Sequence, residues 1–244
     1  MKTILKQALI ILTLFLQNSL WSQDIKNELA GFQYKEIVIN ASSSDENLPL
    51  IIGLHWMRSN PVEFSAYLKN IKSPARILLM QGNYLFKEGF SFYPVVPENY
   101  YKMNEDGKLK VLTSEGHKLG KFIKSVVKKY PSTKKPVIIG ASQGGDLSYF
   151  IAIKYSDLIG LSCPLLATID ERLIVKGKPN PTTLIHAFHG EDDPIVKVET
   201  ASHHIEILAE NQFNAEIITY KGVQHDISNE MQNDFSQLID LHLK

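Results

Sequence analysis

The sequence predicts a single α/β domain in which helices cover both faces of a mostly parallel central sheet. Three observations lead to this fold class. The 244 residues suit one doubly wound sheet. Hydrophobic residues make up 44% of the chain and charged residues 21%, a composition that can bury a large core and argues against disorder. Short apolar runs alternate with amphipathic stretches, which is the pattern of strand–helix–strand units.

The first 22 residues have the pattern of a secretory signal peptide. Lys2 and Lys6 precede an apolar run at 8–16 that is short for a bilayer span, and polar residues follow at 17–19. We expect cleavage after Ser22, with an uncleaved membrane anchor as the alternative. The prediction is therefore a signal peptide at 1–22 and one domain at 23–244, secreted or periplasmic and with no stable membrane span after cleavage.

Seven short, mostly continuous apolar runs predict the strands, because strands of a parallel sheet are buried on both faces. They cover residues 35–40, 50–56, 75–81, 136–141, 159–166, 183–188 and 215–220. Apolar residues at helical spacing between 119 and 130, 198 and 208, and 231 and 239 predict helices. Residues 81–103 are rich in Tyr, Phe, Pro and Gly without a clear period, so we expect there either a long functional loop or regular structure that the pattern does not reveal.

Several functional classes are disfavoured by charge and composition. Lys plus Arg and Asp plus Glu both total 26, so the chain has no excess positive charge for capturing nucleic acid. Cys163 is the single cysteine, and His55 and His189 lack the spacing of a metal motif. The glycines near Ser142 form neither a dinucleotide nor a Walker loop. We therefore expect no metal, organic cofactor or nucleic-acid partner.

A candidate nucleophile, Ser142, lies in the sequence Gly140-Ala141-Ser142-Gln143-Gly144, directly after the apolar run at 137–139. A G-x-S-x-G turn between a buried strand and a helix lifts the serine hydroxyl into solvent, and the two glycines allow the close backbone packing that such a turn needs. The same turn directs the Gln143 N–H at the reacting carbonyl, which predicts one oxyanion-hole donor.

A serine nucleophile needs a histidine base and a carboxylate that holds the imidazole. Of the four histidines after residue 193, only His225 follows a predicted strand rather than lying in a predicted helix. Asp192 and Asp193 follow the strand predicted at 183–188, and both are candidates for the acid. The carboxyl ends of parallel strands share one sheet edge, so we expect the three loops to converge there.

These motifs resemble those of the carboxylesterase/phospholipase group of small α/β-hydrolases, which includes acyl-protein thioesterase-like enzymes. The resemblance covers roughly residues 48 to 240 and is most specific at the Ser142 turn, which extends to Gly145, and at His189-Gly190-Glu191-Asp192-Asp193. It implies an α/β-hydrolase fold, Asp193 as the acid and His225 as the base. It also implies that Met57 N–H is the second oxyanion donor, although Trp56 stands where the family usually has glycine.

The resemblance also indicates that aromatic residues near the acyl pocket contact the substrate, and Trp56, Tyr84, Phe90 and Phe92 are the candidates. The expected activity is the hydrolysis of small carboxylic esters by an exported serine hydrolase. Three other activities share this chemistry, namely peptidase, thioesterase and polyester depolymerase. A non-catalytic binding protein on the same scaffold remains open, and Trp56 would favour it by blocking the oxyanion site. The sequence does not define the oligomeric state.

Overall fold

The computed structural model describes residues 27–41, 47–132, 134–174 and 182–244. The predicted signal peptide at 1–22 lies outside these ranges and stays a prediction. In the described ranges, an eight-stranded sheet runs through the molecule in the order β1-β2-β4-β3-β7-β8-β9-β10. Strands β1 and β2 join antiparallel at one edge, and the six strands from β4 to β10 in this order are parallel.

The sheet strands are β1 (Asn27–Leu29), β2 (Phe32–Ile39), β3 (Leu50–Leu54), β4 (Ala75–Met80), β7 (Val137–Ala141), β8 (Leu161–Leu165), β9 (Leu184–Gly190) and β10 (Asn214–Tyr220). All seven predicted strands are present, with ends within three residues of those predicted, and the largest difference is at the start of β2. Every residue of β3, β7 and β8 is buried, as expected for central parallel strands.

Helices cover both faces of the sheet. The helices are α1 (Pro61–Ser65), α2 (Glu105–Lys129), α3 (Gln143–Lys154), α4 (Val198–Glu210) and α5 (Asn229–Leu243). Helices α2, α3 and α4 pack into one apolar cluster, and α1 and α5 pack into a second cluster on the other face. The predicted fold class is therefore confirmed. None of the helices in the described ranges is long and apolar enough to cross a bilayer.

The long segment between β4 and α2 is less irregular than the sequence predicts. It contains a small antiparallel hairpin of β5 (Tyr84–Phe86) and β6 (Gly89–Ser91), followed by a 3₁₀ turn at Tyr100–Lys102. Helix α2 begins at Glu105, about four turns before its predicted apolar stripe, and the Asn104 side chain caps it by accepting the Gly107 N–H at 2.8 Å.

Candidate active site

Ser142 occupies a strained turn between β7 and α3. Its φ of 52° and ψ of −113° are rare for a residue with a side chain, and they direct the hydroxyl out of the strand. The turn needs both flanking glycines. A Cβ at Gly140 would lie 2.2 Å from the carbonyl oxygen of Gly144, and one at Gly144 would lie 2.3 Å from that of Leu54. Any residue larger than glycine at these two positions would overlap the backbone, so the two glycines are what allows the turn to form.

The structure places the side chains of Ser142, His225 and Asp193 in one hydrogen-bonded chain. The Nε2 atom of His225 lies 3.2 Å from Ser142 Oγ, and its Nδ1 atom lies 2.7 Å from Asp193 Oδ2. An ionised carboxylate can only accept, so His225 Nδ1 donates to it. Nε2 is then left as the acceptor for the serine hydroxyl, which is the tautomer that a general base requires.

Asp193 is held by its own loop at the end of β9. The carboxylate is fully buried, and its Oδ1 accepts the N–H groups of Ile195 and Val196 at 2.8 and 2.9 Å. Asp192 is exposed, and its N–H donates to the carbonyl of Val223 in the loop that precedes His225. Of the two candidate acids, the structure therefore brings Asp193 to the histidine and directs Asp192 to solvent.

The loop after β3 carries the predicted second oxyanion donor. Met57 and Trp56 line the same cleft as Ser142, and the Trp56 ring packs edge-on against Tyr67 at 5.7 Å between centroids. The buried His55 fixes this loop, since its Nδ1 donates to the carbonyl of Trp56 at 2.6 Å and its Nε2 accepts the Gly82 N–H at 3.1 Å. Burial lowers the pKa of His55 to about 4, so the ring is neutral at physiological pH.

The β5–β6 hairpin supports this loop from the side. Arg58 N–H donates to the carbonyl of Phe90 at 2.8 Å, and Phe90 N–H donates to the carbonyl of Ser59 at 2.9 Å. Directly after the hairpin, Phe92 N–H donates to the Gln143 side chain at 3.1 Å. Gln143 is the first residue of α3, where backbone N–H groups have no intrahelical acceptor, so its own N–H is available to an oxyanion. The hairpin thus links the two predicted oxyanion donors.

A cleft of about 1330 Å³ opens above Ser142 and His225. Its lining includes Trp56, Tyr100, Tyr101, Leu112, Ile169 and Ile195 along with Ser142 and His225. Ile195 and Tyr101 are 72% and 46% exposed, which places apolar surface at the mouth of the cleft. A cavity of this kind can take an apolar acyl chain beside the serine.

The structure corrects three of the predicted substrate contacts. Tyr84, Phe90 and Phe92 do not line the cleft. The Tyr84 hydroxyl donates to Glu115 at 3.0 Å, and the buried Phe92 ring packs on His55 at 4.7 Å. These residues build the hairpin and its support, because the backbone bonds of that hairpin hold it against the loop after β3. The aromatic lining comes from the predicted Trp56 together with Tyr67, Tyr100 and Tyr101.

Sequence reasoning also missed Asp146, which lines the cleft one turn after Ser142 on α3. Its Oδ1 accepts the Thr168 N–H at 3.1 Å, and burial raises the pKa of this carboxyl to about 7. The sequence did offer one signal for Asp146, since it follows the candidate nucleophile by four residues, or about one helical turn. Across the ranges that the structure describes, no three His, Cys, Asp or Glu side chains gather as a metal site.

The sequence of this chain matches a known protein family. The sequence profile of the phospholipase/carboxylesterase family matches residues 89–243, more than half of the chain. Acyl-protein thioesterase 1 of Neurospora crassa is 30% identical over 129 residues, which are 51% of this chain and 52% of that protein. The chain thus matches about half the length of that curated relative.

Solved structures show the same fold. A carboxylesterase from Bacillus cereus superposes with a TM-score of 0.70 at 16% identity, covering 86% of this chain and 94% of the other. The esterase PE8 gives a TM-score of 0.70 at 14% identity, with 86% and 99% covered. These neighbours show the fold, and the family match establishes that the chain belongs to the phospholipase/carboxylesterase family.

Proposed function

We propose that this chain is an exported serine hydrolase that cleaves carboxylic esters through an acyl-enzyme intermediate. One observation carries the proposal, namely the hydrogen-bonded chain of Ser142, His225 and Asp193, whose serine and histidine line a cleft with both apolar and charged walls. Membership of a family of esterases and thioesterases supports the same class of reaction. The proposal of export rests on the sequence pattern at residues 1–22.

In the first half-reaction, Ser142 Oγ attacks the ester carbonyl carbon while His225 Nε2 takes the hydroxyl proton. Asp193 stabilises the resulting imidazolium through its bond to Nδ1. The carbonyl oxygen gains negative charge, and the N–H groups of Gln143 and Met57 donate to it. The tetrahedral intermediate then collapses, the C–O bond to the alcohol breaks, and His225 returns the proton to the departing oxygen.

In the second half-reaction, water replaces the alcohol. His225 removes a proton from the water as its oxygen attacks the acyl carbon, and the bond to Ser142 Oγ then breaks. His225 gives its proton back to the serine, which restores the starting state. All proton transfers use side chains of the chain itself, so the reaction is complete without a bound group.

Thioester cleavage is the second candidate, because the match to acyl-protein thioesterase 1 favours it. The same serine, base and oxyanion donors serve a thioester, since only the leaving atom changes from oxygen to sulfur. Direct comparison of an oxygen ester with the matching thioester, both with the same acyl chain, decides which reaction has the higher kcat/KM.

Steady-state hydrolysis of p-nitrophenyl esters with acyl chains of two to twelve carbons tests the proposal. We expect turnover by the wild type, and loss of about 10⁴-fold or more in Ser142→Ala and His225→Ala. His203→Ala is the matched control, because His203 is exposed on α4 and does not line the cleft. Full turnover by a folded Ser142→Ala protein would overturn the proposal.

A further inference from the structure

The carboxylate of Asp146 lies in the cleft without a positive partner. Its Oδ1 accepts one N–H, from Thr168, and its Oδ2 has no hydrogen-bond or ion-pair partner among the residues that the structure describes. Four Lys and Arg side chains line the cleft, and none of them pairs with Asp146 among the described residues: Arg58 pairs with Glu88, and Lys197 makes no ion pair with Asp146. Arg172 pairs with Asp106 and Asp170, and Lys108 pairs with Glu105.

An unpaired carboxylate in a mostly enclosed position is costly, since burial removes water from the charged form. Burial accordingly raises the pKa of Asp146 to about 7. A ligand that brings a positive charge to Oδ2 would offset this cost, whereas a purely apolar ligand would increase it. We therefore expect the cleft to bind a ligand with a positive charge near Asp146 more tightly than a neutral ligand of the same shape.

Two tyrosines in the same cleft suit the same kind of ligand. The rings of Tyr100 and Tyr101 stand at 90° to one another with centroids 5.0 Å apart, and Tyr93 packs behind Tyr100 at 4.2 Å. Burial, and then the charge of Asp146, raises the pKa of both Tyr100 and Tyr101, so the rings stay neutral and lie within electrostatic reach of the carboxylate. Perpendicular aromatic faces bind alkylammonium groups through cation–π attraction.

We propose that Asp146, Tyr100 and Tyr101 form an ammonium subsite, which makes esters that carry an alkylammonium group the preferred substrates. This inference rests on the proposed function, because the subsite is defined relative to Ser142. Asp146 follows Ser142 by four residues, or about 6 Å along a helix. Because this is a separation of the two backbones, the test substrates place the cationic nitrogen about four bonds from the ester carbonyl carbon, on either side of the scissile bond.

Two pairs of isosteric substrates test the subsite on each side of the scissile bond. The first pair is butyrylthiocholine and S-(3,3-dimethylbutyl) thiobutyrate. The first carries a charged trimethylammonium group where the second carries a neutral tert-butyl group of the same shape. The second pair is p-nitrophenyl 4-(trimethylammonio)butyrate and p-nitrophenyl 5,5-dimethylhexanoate, with the charge in the acyl part. The quantity measured is the ratio of kcat/KM for the charged member to that for the neutral one, at pH 8.

We expect this ratio to be about tenfold or more for at least one pair in the wild type. In Asp146→Asn it should fall by at least about threefold, because the amide keeps the size and loses the charge, while the cation–π attraction of the tyrosines remains. Tyr101→Leu should reduce it by about threefold to tenfold. Asp170→Asn is the matched control, since Asp170 lines the cleft but already pairs with Arg172. Ratios near one for both pairs in the wild type would overturn the inference.

A binding measurement separates this inference from the proposed catalytic function. Propyltrimethylammonium is titrated calorimetrically into the folded Ser142→Ala protein and into the Asp146→Asn protein. Binding by the first and a loss of at least about tenfold in the second supports the subsite even if no ester is turned over. No binding by the Ser142→Ala protein contradicts the subsite, whereas hydrolysis that survives Ser142→Ala contradicts only the proposed nucleophile.

Discussion

Acid should destabilise this protein through His55, the buried histidine behind the oxyanion loop. Both hydrogen bonds of its ring require the neutral form, because Nδ1 must donate to the Trp56 carbonyl while Nε2 accepts from the Gly82 N–H. If Nε2 were protonated, it could no longer accept a hydrogen bond, and its N–H would point at the N–H of Gly82. The His55 ring is fully buried and packs on Phe92, so water cannot compensate.

The size of the effect follows from the pKa difference between the two states. Burial lowers the pKa of His55 from 6.5 to about 4, and the hydrogen bond to Trp56 opposes this only in part. Below pH 6.5 the unfolded chain binds a proton that the folded chain rejects. The stabilisation is therefore complete above pH 6.5 and is lost as the pH falls towards 4, which amounts to about 3 kcal/mol.

Urea denaturation from pH 7.5 to pH 4.5, followed by circular dichroism, measures this dependence in the wild type and in His55→Asn. The substitution should destabilise the protein at pH 7.5, and the advantage of the wild type should then shrink by most of that 3 kcal/mol towards pH 4.5. His203→Asn is the matched control, because it makes the same substitution at an exposed histidine. If the wild type exceeded His55→Asn in free energy of unfolding by the same amount at every pH, burial would not be what keeps His55 neutral.

Three further substitutions test the site. Asp193→Asn should lower kcat/KM by about 10⁴-fold, because the base loses its orienting partner, while Asp192→Asn on the same loop should retain activity; equal losses would contradict the assignment. Gly89→Ala would place a Cβ 2.1 Å from the Arg58 carbonyl oxygen. It should lower kcat by about 10²-fold as the oxyanion loop shifts, and unchanged kinetics would show that the hairpin does not support this loop. Asp146 holds its proton up to a pKa of about 7 against 3.8 when unfolded, so its stabilisation is complete below pH 3.8 and is lost towards pH 7. Between pH 5 and 8, the free energy of unfolding of the wild type relative to that of Asp146→Asn should fall by up to about 3 kcal/mol, since the His55 effect is common to both proteins, and parallel curves would contradict it.

The strands and the nucleophile turn could be predicted because their signals are local. A buried parallel strand is a continuous apolar run, and the turn at Ser142 requires glycines at fixed positions. One topological rule predicted His225 and limited the acid to Asp192 or Asp193, since these residues follow strands whose carboxyl ends share an edge with Ser142. The choice of Asp193 came from the family resemblance. The structure places the three side chains within hydrogen-bond distance there.

The lining of the cleft could not be predicted in the same way. The aromatic residues between 81 and 103 have no period, so their composition does not say which rings face the cleft. The orientation depends on tertiary contacts such as the close approach of Gly89 to the Arg58 carbonyl, which turns the hairpin into a support. Asp146 was missed for a different reason. Its role depends on which cations are already paired, and ion pairs between distant residues leave no pattern in the sequence.

Fluorophosphonate labelling followed by peptide mass spectrometry tests the central claim, that the hydroxyl of Ser142 is activated by His225. We expect one adduct, located on Ser142, that forms in the folded wild type, forms much more slowly in His225→Ala and does not form after denaturation. A folded wild-type protein that gains no adduct, or gains it on another residue, would contradict the account.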